Sequence, residues 1–399
     1  MMTRSPDSDE ASSIRRPGLL RPGVPRLGVQ ARRLRRAGLL ALGASAALTV
    51  AAAAPGLAAA APAVPSTFTQ TNLISDIPGV AGTTDPNLVN PWGFSEDPSG
   101  PLWVSDQGTG VSTFYTGDMG GTPLTPIPVV VQIPGGVPTG QVFNGTGKFI
   151  VQDGTQNGTA VFIFAGQKGD ITGWNPAVGA VGTATSMQAE EGVHVPGADF
   201  TGLAIAGDQL FAANFRDGSI DVFNSDFQRV SEPGAFRDPA IPRGFAAYNI
   251  TNIGGNLFVS FARQDIARHD AAPGGGFVDV FSPAGELLQR LIRGRALDAP
   301  WGMVIAPSSF GTFSSDLLVA NSGDGVISAF DPANGAFLGV LRNASGQPIV
   351  NHGLKGLILG DGPTVNPATP AAGTPQTVFF SAGIAAGNHG LVGSITLGS

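Results

Sequence analysis

The sequence predicts an all-β protein, a six-bladed β-propeller of four-stranded antiparallel blades. Three observations carry that prediction. The first is a phrase that recurs. Residues 92–94 read Trp-Gly-Phe, followed by Leu-Trp-Val-Ser-Asp at 102–106, a Gly-rich turn and Val-Ser-Thr-Phe-Tyr at 111–115. Near residue 301 the phrase returns as Trp-Gly-Met-Val-Ile, Leu-Leu-Val-Ala-Asn at 317–321, Ser-Gly-Asp-Gly, and Val-Ile-Ser-Ala-Phe at 326–330. A phrase returning every ~40–60 residues marks a radial or stacked repeat. The second observation is composition: 58 Gly and 32 Pro with only 13 % charged residues suit many short strands joined by turns. The third is that each unit reads as up to four short strands. Its opening strand is rich in small residues, which suits a crowded axis, and four-stranded blades around an axis make a propeller.

The chain begins with a different kind of segment. Residues 1–60 hold nine Arg and three acids, and Arg32, Arg33, Arg35 and Arg36 precede a stretch with no ionisable side chain until Asp76. Ala58 to Ala61 supply small residues for a cleavage site. Basic region, apolar region and small-residue exit are the parts of an export signal, and Arg35-Arg36 leaves the twin-arginine route open beside the general secretory one. The expectation is a removed or disordered leader over 1–61 and a single propeller over 62–399. A retained anchor is the competing reading, although the Ala/Gly-rich segment inserts weakly.

Six units follow. The first runs from Trp92 to about residue 133. The second takes in residues 148–153, 160–164 and 171–174, with strands possible in 116–147 and 175–199 that would change the blade number. The third takes in 202–206, 210–214 and 219–223. The fourth opens at Gly244 and includes 257–261, an insertion, 276–281 and 287–291. The fifth is the Trp301 unit ending at 337–341, and the sixth takes in 353–358, 377–381 and 390–395. The turn after each second strand is Gly with Asp or Asn, which is hairpin chemistry. Residues 67–74 alternate like a strand, and the expectation is that they close the ring as the outer strand of the sixth blade, beside 391–397, protecting an edge.

The run Asn72 to Gly93 (Asn-Leu-Ile-Ser-Asp-Ile-Pro-Gly-Val-Ala-Gly-Thr-Thr-Asp-Pro-Asn-Leu-Val-Asn-Pro-Trp-Gly) resembles the opening signature of an uncharacterised family of exported bacterial propeller proteins, some with PEP-CTERM sorting tails. The resemblance continues through 169–176, 245–255 and 299–341 and covers roughly residues 70–397. It implies fold and export, and no activity. The chain departs from it at Lys355, where the family pattern implies Trp, and at 385–387 (Ala-Ala-Gly), where it implies acidic residues. More distantly, the Gly-Leu-Ala and Leu-Phe-Ala-Ala-Asn phrases resemble NHL repeats and the gluconolactonase-type enzymes, a likeness of structural residues.

The composition excludes several chemistries. With no Cys, thiolate metal sites, disulfides and thiol nucleophiles are absent. Residues 61–399 hold 13 basic and 26 acidic residues, a balance that repels phosphate backbones and argues against nucleic acid. No Gly-x-Ser-x-Gly elbow, phosphate loop or EF-hand loop occurs. The candidate binding residues lie on the face where inner strands start and second strands end: Trp92, Asp106, Asp153, Asn214, Asp265 (or Gln264), Trp301 and Asn321. Two readings stand. A ring of Asp106, Asp153, Asn214 and Asn321 oxygens would suit Ca²⁺ and could polarise a lactone carbonyl; equally, each caps its own hairpin. Trp92 and Trp301 could stack on sugars or pack between blades. None of His194, His269, His352 and His389 pairs at metal spacing; His269-Asp270 could be an acid/base dyad or a surface pair, and His352 and His389 share a blade, where they could meet as a site or serve their turns. The leading reading is a monomeric, secreted or cell-envelope binding or scaffold protein for a protein or glycan ligand, free of the membrane once the signal is cut. The alternative is a Ca-dependent lactonase- or lyase-like enzyme.

Overall fold

The computed structural model describes residues 66–98, 100–265, 270–362 and 371–398, all within the unit Pro62–Ser399. The expected export signal over 1–61 lies outside the described residues. Among those described, no helix is long and apolar enough to cross a membrane.

The described residues form six sheets whose blade strands pair antiparallel, plus one hairpin outside them; the short Thr83–Thr84 strand adds to the sixth sheet in parallel. Their inner strands are Pro91–Glu96, Pro138–Phe143, Phe200–Ala206, Phe245–Ile253, Pro300–Ile305 and Leu354–Leu359. We number the blades 1 to 6 in that order. Blade 6 closes the ring as expected: Phe68–Ser75 pairs antiparallel with Leu391–Leu397, from Phe68 opposite Leu397 to Ser75 opposite Leu391. The two ends of the propeller thus share one sheet.

The second blade differs from the sequence expectation. Residues 150–152 and 157–159 form a small separate hairpin. The second strand of blade 2 is Phe162–Gly166, and its inner strand, Pro138–Phe143, comes from the stretch left open before residue 148. Its outer strand, Glu190–His194, also comes from an open stretch. Both additions complete blade 2 and leave the blade number at six.

The second strands show why the ring is stable. Successive side chains of a strand point to opposite faces, and here both faces meet a neighbouring blade. The pairs Leu102-Trp103, Phe162-Ile163, Leu210-Phe211, Leu257-Phe258, Leu317-Leu318 and Val378-Phe379 are buried, the first of each pair in the core shared with the preceding blade and the second in the core shared with the next. Strands buried on both faces read as continuous apolar runs, which is why these segments stand out in the sequence.

The axis is built from backbone. A Cβ added to Gly93 would lie 2.5 Å from the Thr139 carbonyl oxygen, and one on Gly356 would lie 2.6 Å from that of Trp92. Gly140, Gly202 and Gly302 press in the same way on the next inner strand. Only blade 4 departs, with Asn249 in the glycine's place; its amide donates to the Trp301 carbonyl at 2.8 Å. Contacts thus pass from each blade to the next and from blade 6 back to blade 1.

Candidate functional site

The register fixes which side chains end each second strand. The residues opposite the position two before each axial glycine, or before Asn249 in blade 4, are Asp106, Gly166, Asn214, Phe261, Asn321 and Ala382. Three of the six carry a side-chain oxygen, and all three turn it into their own blade. Asp106 Oδ2 accepts from Thr113 Oγ1 at 2.7 Å, while Oδ1 is buried with no hydrogen-bond partner; burial pushes this carboxyl well above the usual range. Asn214 accepts the Asp199 amide at 3.2 Å and donates to Asp221 at 3.2 Å. Asn321 accepts the Asp298 amide at 2.9 Å and donates to Ser328 Oγ at 3.1 Å. In each case the partner on the third strand is seven residues on: a repeated polar peg between strands.

The other expected residues fall elsewhere. Asp153 lies at the turn of the separate hairpin, exposed, where it accepts the amides of Thr155 at 2.7 Å, Gln156 at 2.6 Å and Gly179 at 3.0 Å. These bonds, that of Gln156 first, lower its pKa to about 2. Asp265 stands beyond Phe261 at the tip of the long blade 4 hairpin, opposite Asp270. His269 lies outside the described residues. His389 Nδ1 lies 2.6 Å from Asp76, whereas His352 lines the axial mouth; His194 Nδ1 lies 2.7 Å from Asp170. Among the described residues, no group of three or more His, Asp or Glu is placed to hold a metal ion.

What does converge on the axis is the residue before each axial glycine. Trp92, Tyr248, Trp301 and Lys355 come from blades 1, 4, 5 and 6 and form one layer. Trp92 meets Trp301 edge to face at 5.9 Å and Tyr248 at 6.1 Å. The Trp301 indole donates to the Thr201 carbonyl at 2.9 Å, whereas Trp92 Nε1 is buried without a partner. Both indoles are buried, which leaves neither face open to stack on a sugar at the rim.

Lys355 completes the layer and is 4 % exposed. Its ammonium donates to Tyr248 Oη at 2.7 Å and to the Asp270 carboxylate at 3.1 and 3.3 Å, and sits 3.5 Å from Ser322 Oγ. It also lies 4.3 Å from the Trp92 ring centre and 5.3 Å from that of Tyr248. A buried ammonium is tolerated only with such partners. Tyr248 Oη donates in turn to Asp270; burial first, and then the Asp270 charge, hold the phenol well above its usual pKa.

This group forms one side of a pocket of about 540 Å³ at the mouth where inner strands begin. The opposite side carries a chain of amides: Asn90 donates to Gln107 at 2.8 Å, and Gln107 to Gln167 at 2.7 Å. Gly383, Ala386 and Gly387 shape the rim, with Ala385 and Ala386 both held in the left-handed region at φ 52° and 58°. Consecutive non-glycine residues there are strained, as is common at ligand sites. The sequence marks Lys355 and 385–387 only as departures from a family pattern, and Lys355, Ala386 and Gly387 prove to line this pocket. The signal that could have found Lys355 is its place in the series Trp92-Gly, Thr139-Gly, Thr201-Gly, Trp301-Gly, Lys355-Gly.

No protein-family model matches the chain. Over 334 residues it is 33 % identical to the uncharacterized protein R648 of Acanthamoeba polyphaga mimivirus, spanning 81 % of this chain and 78 % of that protein. It is 31 % identical to the uncharacterized protein L690 of the same virus, spanning 81 % and 84 %. The chain belongs to the family of these proteins. They are viral, and the bacterial, exported origin expected from the sequence resemblance has no support in them. Among solved structures, Staphylococcus aureus virginiamycin B lyase aligns over 83 % of this chain and 99 % of its own at 12 % identity, with a TM-score of 0.46. A Bacteroides thetaiotaomicron protein of unknown function aligns over 83 % and 76 % at 10 % identity, with a TM-score of 0.48. The fold assignment stands on the sheets themselves.

Proposed function

We propose that this member of the family is an exported binding propeller that takes one small polar molecule into the axial pocket around Lys355. The observation that carries the reading is the buried ammonium at the pocket wall, gathered by Tyr248, Asp270 and Ser322 from two other blades. A hydroxyl-bearing molecule with a carbonyl or carboxylate oxygen fits this chemistry. The ammonium addresses the oxygen, and the Asn90–Gln107–Gln167 chain offers amides to hydroxyls. The export part rests on the arginine-rich and alanine-rich leader; amino-terminal sequencing of protein recovered from the medium of a secreting host checks it, with cleavage near Ala61 expected.

The binding part is tested by thermal unfolding against a panel of small hydroxy acids and sugar acids, since a ligand of the folded state raises the melting temperature with its concentration. Lys355→Met, which keeps most of the side-chain volume and removes the charge, is expected to keep a folded propeller and abolish the shift. A ligand shift of wild-type size in Lys355→Met would overturn the assignment of this pocket.

A catalytic variant of the same reading draws on one observation: the contiguous Tyr248, Asp270 and Lys355 can pass a proton among themselves. Turnover of a lactone or ester of the binding ligand, lost in Tyr248→Phe, would move the protein from binder to enzyme.

A further inference from the structure

On the far side of the Trp92–Lys355 layer lies a second funnel. The pocket just described ends at Trp92 and Lys355, and this one begins at Gly93 and Gly356. Its wall is made by the outgoing halves of all six inner strands, and it holds about 600 Å³. The lining is mainly apolar, with Phe94, Leu203, Ile250, Met303, Val304 and Leu357 among its members beside the polar Ser95, Gln141, Asn249, Thr251 and Asn252.

Glu96 is the sole ionisable residue among the described residues of that lining. It is the last residue of the blade 1 inner strand. Its Oε1 is buried with no hydrogen-bond partner, and the charged group facing it is Asp361, which follows the inner strand of blade 6. Burial first, and then the Asp361 charge, push the Glu96 carboxyl well above its usual range. A carboxyl that keeps its proton in such a wall is a hydrogen-bond donor, and Oε1 has no partner within hydrogen-bond distance. An unpaired buried group of this kind costs stability, so a ligand that supplies the acceptor gains what the fold leaves unmade.

We propose that this second funnel binds one small, uncharged, mainly apolar molecule whose hydrogen-bond acceptor is received by the Glu96 carboxyl. An anion would meet the Glu96 carboxyl, with the Asp361 charge acting on it, and no cation in the described lining. A charged amine would require ionising Glu96 in an apolar wall, where desolvation opposes it. A sugar would set hydroxyls against Ile, Leu, Met and Val side chains, and the Gln141 and Asn249 amides in that wall already donate to backbone carbonyls. The mouth occupied by Lys355 plays no part here, so this proposal stands whether or not the function proposed for that mouth holds.

The test uses Nile red, a neutral apolar fluorophore with a carbonyl acceptor, titrated into the exported form. Saturable binding with a blue-shifted emission is expected. Ile205→Trp and Val304→Trp fill the funnel from two walls, and each is expected to weaken the dye by about tenfold or more while retaining the wild-type melting temperature. Raising the pH should weaken binding to the wild type as Glu96 ionises, and Glu96→Gln should bind with no such pH dependence. Unsaturable binding by the wild type overturns the proposal, as does wild-type affinity in a folded filling variant. If both filling variants unfold, the pH series decides: a Glu96→Gln profile that still falls with the wild type rules Glu96 out.

Discussion

Two single residues show how local chemistry sets the stability of this ring. Gly93 has an ordinary backbone conformation, so its requirement is space: a Cβ would stand 2.5 Å from the Thr139 carbonyl oxygen, and backbone cannot swing aside as a flexible side chain can. Gly93→Ala is therefore expected to cost about 1–3 kcal/mol, as overpacking does, read as a lower denaturant midpoint. The pH dependence turns on carboxyls such as Asp118, raised by burial to about 6 against an ordinary 3.8, with Ser394 opposing the shift. Between those two values the folded state binds more protons than the unfolded chain, so stability falls as pH rises through the window and the full cost is present above it. Asp118→Asn, neutral at every pH and tolerant of the left-handed φ of 54° found there, should raise the melting temperature at pH 7. It should also flatten its decline between pH 4 and 7. A decline identical to wild type would remove Asp118 from the account. The candidate site was legible at this scale only in part. Trp92 and Trp301 are prominent because indoles are rare in the chain, and Asp270 stands out beside His269, whereas only the closed ring brings Lys355 of blade 6 against Tyr248 and Asp270 of blade 4.

At the level of strands and blades, the sequence was legible wherever both faces of a second strand are buried. Leu102-Trp103, Leu210-Phe211 and Leu317-Leu318 each sit in an apolar run, and each run proves to be a second strand. Blade 2 was harder for a physical reason. Its inner strand, Pro138-Thr-Gly-Gln-Val-Phe, fills the axis with small and polar residues: Thr139 donates to the Phe200 carbonyl at 2.7 Å and Gln141 to the Trp103 carbonyl at 2.6 Å. These are interior positions that composition reads as surface. Lys148 to Asp153 misleads in the opposite sense. Phe149 and Val151 are buried against the neighbouring core, so the hairpin has the apolar content of a blade strand without joining the sheet. The placement of Asp153 at the funnel mouth fails with that strand assignment. The Asp and Asn that end second strands were seen as a series, and they are one; pairing with the third strand seven residues on turns them inward and away from the axis.

The propeller as a whole is a ring held by neighbour contacts, and its weakest join is where the chain must meet itself. Blade 6 takes three strands from the end of the fold and its outer strand from the beginning, so closing it brings together residues more than three hundred apart in sequence. Long-range closure of this kind is entropically expensive, though the cost grows slowly with length, and the gain must come from what the joining strand buries. Phe68 is the anchor. It is 2 % exposed and packs on Phe310 at 4.7 Å and Phe313 at 5.8 Å between ring centres, in the core shared by blades 5 and 6. Removing it empties that core and frees the outer strand together. Phe68→Ala is expected to cost about 3–5 kcal/mol, the range for a buried Phe. A closed ring should unfold in one transition; one whose closing strand is loosened should instead release blade 6 early, as repeat arrays do when a terminal unit is uncapped. The measurement is hydrogen exchange at the amides of residues 391–397 in the two proteins. Faster exchange there, with the blade 3 strands still protected, is the expected result, and uniform loss of protection across all six blades would show that closure is not a separable step.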